Sequence, residues 1–352
     1  MGERFRLGLM VGSVMAGGAG AASAVSPLVV KCASVARAPR LDGDLKDAAW
    51  RSAERTRVFV HQSYTASGVG CMMAELRACW SGENIYLAVR WKDGEASLEK
   101  DLWIFDGGKW TKDAEQDEDR LGLVFPINRS VPDFAKYGCA VSCHGAEVGS
   151  AATGMKPRWY HQTNGPTERL DVWHWKSCRS NPVGFADDKF WDHRALGAAP
   201  RHAGRHPDGE PEGYRAERGN ANAEGTGPAR MQDPNKPPSK PGFLLFAETV
   251  PYKPGGFKKG DVIQGRMLSP HKGSRGDVRC AGVHRDKHWT VEFARKLNTG
   301  HEDDVVFEPG TTIPFSLAIF ENVPEYRKHD HGRAYDVMQL RILPVAGASP
   351  GK

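Results

Sequence analysis

Several features that the chain lacks limit what it can be. After its first 24 residues it has no run of about 20 apolar residues, so no transmembrane anchor is predicted. It has 48 basic and 43 acidic residues and no basic run interleaved with aromatics, which argues against nucleic acid as a partner. The G-x-S-x-G, zinc-protease and dinucleotide motifs are also missing. The sequence therefore predicts no catalytic machinery, and we expect a protein that is not itself an enzyme.

The first 24 residues have the pattern of a secretory signal. Arg4 and Arg6 precede a short stretch from Leu7 to Ala22 that is rich in small and apolar residues. Ala22-Ser23-Ala24 then supplies a small-residue cleavage site. The pattern predicts a signal peptide over residues 1–24 and, in a bacterium, a soluble protein of the periplasm.

The remainder has few long helical patterns, and its 10 tryptophans and 40 glycines suit a β-rich chain. Short runs with strand patterns lie at regular spacing, and such spacing favours an antiparallel β-sandwich. We predict one domain of this class over residues 25–346. The predicted strands include Arg57–His61, Glu75–Trp80, Asn84–Trp91, Leu121–Phe125, Trp289–Ala294, Pro314–Phe320 and Asp336–Leu343.

Two stretches interrupt the strand pattern. Residues 134–188 hold the motif described next and are interpreted as an insertion that carries a site. Residues 193–240 are rich in Gly, Pro, Arg and Asp with almost no apolar residues, which predicts a long disordered loop.

The most informative motif is Gly138-Cys139-Ala140-Val141-Ser142-Cys143-His144-Gly145. Two cysteines followed at once by histidine form the core of a c-type haem attachment site, although two residues usually separate the cysteines and here there are three. The motif predicts that Cys139 and Cys143 hold haem covalently and that His144 ligates its iron. A Cys139–Cys143 disulfide is the main alternative. Zinc is disfavoured because no second Cys/His pair has suitable spacing.

A second iron ligand must come from elsewhere in the chain. His174 is our first choice, since Trp173 and Trp175 would place apolar walls beside a porphyrin, and Met155 and His161 are weaker candidates. A His/Met pair would raise the reduction potential relative to a His/His pair. The alternative for His174 is a core histidine packed among tryptophans.

Five other cysteines remain, and the predicted compartment favours disulfides. At most two bridges are possible among them, and their pairing cannot be deduced from sequence. They are Cys32, Cys71, Cys79, Cys178 and Cys280.

Further motifs resemble the haem-binding domain family that is related to the gamma subunits of ethylbenzene dehydrogenase and dimethylsulfide dehydrogenase. The resemblance covers most of the chain after the signal sequence. It implies an immunoglobulin-like β-sandwich, similar to a family of carbohydrate-binding modules, that holds one haem and passes single electrons. The motifs are Leu41-Asp42-Gly43 with Trp50, Ile85-Tyr86 with Trp91-Lys92-Asp93, Glu118-Asp119-Arg120-Leu121, the Cys139 motif, Asp171-Val172-Trp173-His174-Trp175-Lys176, Arg275-Gly276-Asp277-Val278, and Trp289-Thr290-Val291-Glu292-Phe293-Ala294-Arg295-Lys296-Leu297.

The resemblance also implies an alternative ligand set. The best-known gamma subunits bind a non-covalent b-type haem through a methionine and a lysine. The matching residues here are Met73 or Met72 in the N-terminal strand region and Lys296 in the C-terminal one. Lysine ligates iron only when it is neutral, which requires strong desolvation. Otherwise the methionines belong to the core and Lys296 pairs with Asp303 or Asp304.

These observations lead to two hypotheses. The first is a periplasmic haem-binding electron-transfer protein, either a subunit of a larger oxidoreductase or a carrier, whose redox partner is a membrane cytochrome or a molybdenum-type oxidoreductase subunit. The second is a non-redox module that binds carbohydrate or another ligand, with tryptophans as stacking platforms. A ligand-binding module of the second kind would not need the Cys139–His144 motif.

Overall fold

A computed structural model describes residues 27–62, 71–113, 116–142, 162–194, 204–322, 330–332 and 338–345. The predicted signal peptide lies outside these residues. The described strands, in chain order, are β1 Leu28–Ser34, β2 Thr56–Gln62, β3 Cys71–Ser81, β4 Asn84–Lys92, β5 Trp103–Phe105, β6 Trp110–Lys112, β7 Arg120–Pro126, β8 Leu170–Lys176, β9 Asp187–Trp191, β10 Arg205–Pro207, β11 Glu217–Gly219, β12 Arg230–Gln232, β13 Leu244–Leu245, β14 Thr249–Pro251, β15 Val262–Ile263, β16 Arg266–Leu268, β17 Arg279–Arg285, β18 His288–Lys296, β19 Thr312–Phe320, β20 Asp330–Gly332 and β21 Met338–Ile342.

Helices are short. The α-helices among the described residues are α1 Ala48–Ser52 and α2 Phe134–Tyr137. Within the described ranges, no helix is long and apolar enough to cross a membrane. The 3-10 turns are Ile127–Arg129, Gly138–Val141, Asn181–Val183, Phe246–Glu248 and Ser274–Gly276. The prediction of a mainly β protein is confirmed.

Thirteen strands form one sheet that curls over on itself. Its main path runs β10-β9-β8-β7-β19-β20-β2-β3-β4-β18-β17, and β19 also pairs with β21. β21 pairs in parallel with β1, and β1 pairs in parallel with β3, so these strands link the two halves a second time. The halves face each other across the main core, where Trp175 lies 4.8 Å from Trp289 and Trp173 lies 6.0 Å from Phe293 between ring centroids. The result is a sandwich.

The strands with clear patterns were predictable. Every predicted strand coincides with an observed one, from β2 and β3 in the first half to β19 and β21 in the second. In β19, Ile313, Phe315, Leu317 and Ile319 are buried while the residues between them are half-buried, as a strand with one face on the core requires.

The predicted disordered loop over residues 193–240 is wrong for residues 204–240. This part contains β10, β11 and β12 and is held by buried polar groups instead of apolar ones. The Asn220 side chain donates to the carbonyls of Arg230 (2.9 Å) and Gln264 (2.8 Å). Glu217 pairs with Arg179 and with Arg266, at 3.3 and 3.1 Å. Composition did not reveal this order, because it depends on partners that are distant in sequence.

The cysteines also differ from expectation. Cys32, Cys79, Cys178 and Cys280 are buried thiols and form no disulfide. Burial raises the pKa of each thiol, to about 12 for Cys79, which keeps these groups protonated. The side chain of Cys71 lies outside the described residues.

Candidate functional site

The outer face of the sheet at β19, β7 and β8 carries the candidate site. Ala318, Gly122 and His174 lie side by side across these three strands. Residues opposite one another in antiparallel strands project to the same face. His174 therefore lies on the face away from the main core, in line with a glycine and an alanine whose small size leaves room above the sheet.

The prediction that Trp173 and Trp175 flank His174 on the same face is wrong. Trp173 and Trp175 are fully buried in the main core, on the inner face of β8. Successive side chains of a strand point to opposite faces, so the neighbours of His174 in sequence cannot be its neighbours in space. The ring that accompanies His174 is Phe320 at the end of β19, 6.3 Å away between centroids.

The imidazole of His174 is neutral, and its Nε2 has no partner among the residues that the structure describes. Nε2 is buried and makes no hydrogen bond to any described group. Burial holds the pKa of the ring well below its usual range, and the nearby charges of Lys176 and Arg205 lower it further. A neutral imidazole with the hydrogen on Nδ1 offers the Nε2 lone pair to a metal. An unsatisfied buried nitrogen costs free energy, so a ligand here would stabilise the face.

The described residues leave space above Gly122, the neighbour of His174 in the sheet. A Cβ built on Gly122 would meet no described atom within 4 Å, although Gly122 sits in the middle of β7. One side of this space carries Phe320, and the guanidinium of Arg120 lies 4.8 Å from the centre of that ring. Arg120 also binds Asp117 at 3.2 Å. The face thus combines an apolar ring, a fixed cation and a neutral imidazole.

The Cys139 segment packs on the same face. Its 3-10 turn follows α2, and its neighbours form a small apolar cluster that includes Phe134, Tyr137 and Val141 with Val124 and Val172 of the sheet. Gly138 has a φ of +58°, and a Cβ there would collide with Ser316 of β19. Glycine is needed at 138 because the turn approaches the strand so closely.

The close approach fixes Cys139. Its backbone N–H donates to Ser316 Oγ at 2.9 Å. Ser316 and His174 are separated by two strand spacings and two residues along the strands, which corresponds to about 12 Å. That span is comparable to the width of a porphyrin. The structure therefore brings Cys139 and His174, 35 residues apart in sequence, to one face.

Four of the predicted residues lie outside the description: Cys143, His144, Met155 and His161. The described ends of that segment meet, because the N–H of Gln162 donates to the carbonyl of Ser142 at 3.0 Å. The two described residues that flank 143–161 therefore lie together, near Cys139.

The Met/Lys ligand set does not fit. The β3–β4–β18 register places Ala74 in line with Trp289 and Ser81 in line with Lys296. Met73 and Met72 therefore lie at the end of the sheet opposite to Lys296, more than about 25 Å away. Axial ligands must reach one iron from its two sides, so this pair cannot hold one haem. Asp304 binds Arg295 at 3.2 Å, whereas the sequence offered Lys296 as its partner.

Three residues of the site were missed by sequence reasoning: Gly122, Phe320 and Arg120. Arg120 belongs to a motif that was noted only as part of the resemblance. The strand alternation could have placed Gly122 and His174 on outer faces. Only the pairing of β7 with β8 and β19 brings them together.

These features define the class: a mainly β sandwich with a candidate ligand site on one outer face. Residues 47–332 match the family model described as ethylbenzene dehydrogenase, and the chain belongs to that family. The family resemblance seen in the sequence is thereby confirmed at this level. Membership associates the chain with an oxidoreductase complex. No protein of curated function matches the sequence.

Two solved structures with similar folds are of a family 9 carbohydrate-binding module from Caldicellulosiruptor kristjanssonii. The complex with cellotriose has 10% identity and a TM-score of 0.35, covering 92% of this chain and 99% of that one. The complex with glucose has 8% identity and a TM-score of 0.35, covering 91% and 100%. The sugars are ligands of that module.

Proposed function

We propose that the chain is a periplasmic haem protein that transfers single electrons as a subunit of, or carrier for, a larger oxidoreductase. The observation that carries the proposal is the buried, unpartnered Nε2 of His174 on the face where Cys139 is anchored. The signal sequence over residues 1–24 would deliver the chain to the periplasm. The family name supports an oxidoreductase as the partner.

Each of the candidate residues would have its own role in holding the haem. Cys139 and Cys143 would hold it through thioethers, and His144 and His174 would ligate its iron. Arg120 and Arg205 would supply positive charge for its propionates. A bound haem supplies a one-electron couple between ferric and ferrous iron.

The protein would hold the iron ligands in position and exclude water from them. Burial lowers the pKa of His174 well below its usual range, which reduces the competition of protons for its lone pair. Phe320 limits the access of water beside the ring, and Gly122 leaves the space free of side chain. A membrane cytochrome or a molybdenum-type subunit would dock near this face.

The alternative, a carbohydrate-binding module that stacks sugars on tryptophan, has less support. Nine of the ten tryptophans lie among the described residues, and all nine are buried. Trp50, Trp173 and Trp175 are fully buried. A sugar platform requires an accessible ring face.

A haem stain on a denaturing gel tests the proposal, with protein exported in a host that performs c-type maturation. We expect a stained band that is lost in the double variant Cys139→Ala/Cys143→Ala. The variant His174→Ala should keep the stain but change the visible spectrum from low-spin to high-spin, since only the distant ligand is removed.

His271→Ala is the matched control, because His271 is also buried with a lowered pKa, near 4, and an unpartnered Nε2, but it stacks on Phe185. Its spectrum should equal that of the wild type. Colourless wild-type protein would overturn the haem proposal and leave the ligand-binding module. An unchanged spectrum in His174→Ala would remove His174 from the ligand set.

A further inference from the structure

Four aspartates from separate parts of the chain meet inside one end of the sandwich. Asp171 lies on β8, Asp188 on β9, Asp208 just after β10, and Asp304 in the turn at 301–304. Asp171, Asp188 and Asp304 each offer a carboxylate oxygen, and these oxygens lie within 4.8 Å of one another. All four side chains are at most 2% exposed. We call this group the aspartate cluster.

Arg295 neutralises only part of the cluster. It donates to Asp171 Oδ2 at 2.5 Å and to Asp304 Oδ1 at 3.2 Å. Asp171 Oδ2 also accepts the N–H of Val305 at 3.0 Å, so one carboxylate oxygen of Asp171 is well satisfied. The other, Oδ1, makes no hydrogen bond to a described group.

Asp188 and Asp208 are the unexplained members. Neither oxygen of Asp188 and neither oxygen of Asp208 has a hydrogen-bond partner within the described ranges. They are neighbours, because the N–H of Asp208 donates to the carbonyl of Asp188 at 3.3 Å. Burial, and then the charges of the other aspartates, raises the pKa of both carboxyls well above the usual range. Buried carboxylates without partners are costly, and a cation in their midst would remove that cost.

We propose that the aspartate cluster binds one divalent cation, Ca²⁺ in preference to a transition metal. Calcium takes six to eight oxygen ligands at 2.3–2.6 Å, so two ligand oxygens on opposite sides of the ion lie about 4.8 Å apart. The three carboxylate oxygens of Asp171, Asp188 and Asp304 all lie within 4.8 Å of one another, which places them inside that span. The donors are carboxylate oxygens with no sulfur or imidazole among them, which suits a hard cation.

A neighbouring group does not meet the same criteria. Asp277, His301 and Asp304 also lie close together. His301 Nδ1 and Asp277 Oδ2 are hydrogen-bonded at 2.7 Å, and the His301 side chain is 44% exposed. These two groups satisfy each other, so the unpartnered oxygens of the aspartate cluster mark the cation position.

The cation would join four segments that the chain brings together only by folding. Asp171 is three residues from His174 on β8, and Asp188 is next to Asp187, which stands opposite His174 on β9. The cluster lies on the inner face of this hairpin and His174 on the outer face. A bound ion would therefore hold the strands that present His174, although it binds whether or not the outer face carries a ligand.

Calcium binding to the full-length mature protein, stripped with EDTA and dialysed, tests the proposal by titration calorimetry. We expect one saturable site for Ca²⁺ and a rise in Tm when Ca²⁺ is added. Terbium should bind at the same place with emission sensitised by Trp173, because that residue stands opposite Asp188 in the β8–β9 pair. Visible absorbance of the same samples reports whether haem is bound at the outer face, independently of Ca²⁺ binding.

Asp188→Asn is the decisive variant, and it keeps the shape of the side chain while removing one charge. Affinity for Ca²⁺ should fall by about tenfold or more. In EDTA the variant should be at least as stable as the wild type, because repulsion is relieved, but it should no longer gain stability from Ca²⁺. Asp106→Asn, in an exposed turn, should behave as the wild type.

Two results would overturn the proposal. One is a wild-type protein without saturable Ca²⁺ binding and without a Ca²⁺-dependent Tm after EDTA treatment, which would mean that the aspartates share protons instead. The other is equal Ca²⁺ binding by wild type and Asp188→Asn, which would place the ion elsewhere. If Asp188→Asn fails to fold, Asp208→Asn gives the same comparison from another segment.

Discussion

Each outer face of the sandwich holds one titratable group, the buried Glu292 or the half-buried His174, and the two groups have different surroundings. On the β4–β18 half, Glu292 is covered by the segment that contains Asp42, Gly43 and α1. Its carboxylate accepts hydrogen bonds from Trp50 Nε1 at 2.5 Å, from the N–H of Asp42 at 2.9 Å and from the N–H of Gly43. On the β7–β8 half, His174 Nε2 has no described partner and a glycine lies beside it.

We interpret Glu292 as a structural group, whereas His174 is the binding group of our proposal. We call Glu292 the closed group, because the segment that covers it belongs to the same chain and donates hydrogen bonds to its carboxylate. We call the surface around His174 the open face, because no described residue bonds to its Nε2 or fills the space above Gly122. Buried polar atoms of folded proteins are normally hydrogen-bonded, and the unsatisfied Nε2 therefore supports our proposal that His174 binds a partner.

Replacing the closed group should cause the larger loss of stability. Glu292→Ala leaves three buried or half-buried N–H donors without an acceptor. We therefore expect the unfolding free energy to fall by about 3 kcal/mol. His174→Ala in haem-free protein breaks no hydrogen bond to a described group and should cost less than about 1 kcal/mol. Urea unfolding of both variants, expressed without the maturation system, measures the two values. Equal losses would remove the distinction between the faces.

The closed group should also make stability depend on pH. Burial raises the pKa of Glu292 to about 7, while its hydrogen bonds oppose the shift. The folded protein therefore holds this proton more tightly than the unfolded chain, whose glutamate titrates near 4.3. Unfolding free energy should fall as pH rises from about 4.5 to 7 and change little above that.

Glu292→Gln measures this contribution, because the amide does not titrate. Its stability relative to the wild type should improve by about 1–2 kcal/mol between pH 5 and pH 8, after allowance for solvent screening. The constant cost of the lost acceptor cancels in the comparison. Parallel pH profiles for the two proteins would show that the Glu292 carboxyl titrates normally.

Filling the open face should change stability least and ligand binding most. Gly122→Val puts a side chain into the space beside His174, and a glycine inside a strand is itself unfavourable by about 0.5–1 kcal/mol. The haem-free variant should therefore unfold within about 1 kcal/mol of the wild type. Haem per polypeptide should drop to a small fraction of the wild-type content.

Gly219→Val is the control for this substitution. Gly219 also lies in a strand, β11, with no described atom within 4 Å of a built Cβ, but that strand belongs to a different sheet from the one that carries His174. Its haem content should equal that of the wild type. Full haem content in Gly122→Val would exclude the space over β7 as the binding place.

The strands with a clean alternation were predictable because that pattern depends only on which side faces the core. The same alternation places Trp173 and Trp175 on the face opposite to His174, so the expectation that they flank this histidine is wrong. Residues 204–240, in contrast, could not be predicted from local sequence. Their order depends on Asn220 and Glu217 meeting partners 10 to 49 residues away, which no local composition records.

The sequence by itself determined the mainly β class, most strand positions and the family, since period-2 patterning and local motifs survive without knowledge of contacts. It also supplied the Cys139, Cys143 and His144 motif, whose role as a haem site is our proposal. Only the tertiary structure decided which residues stand together: Cys139 with His174, Met73 far from Lys296, and the four aspartates of the cluster. The physical reason is that strand pairing and register are set by the packing of the whole sheet, and a site built across strands does not exist until that packing is complete.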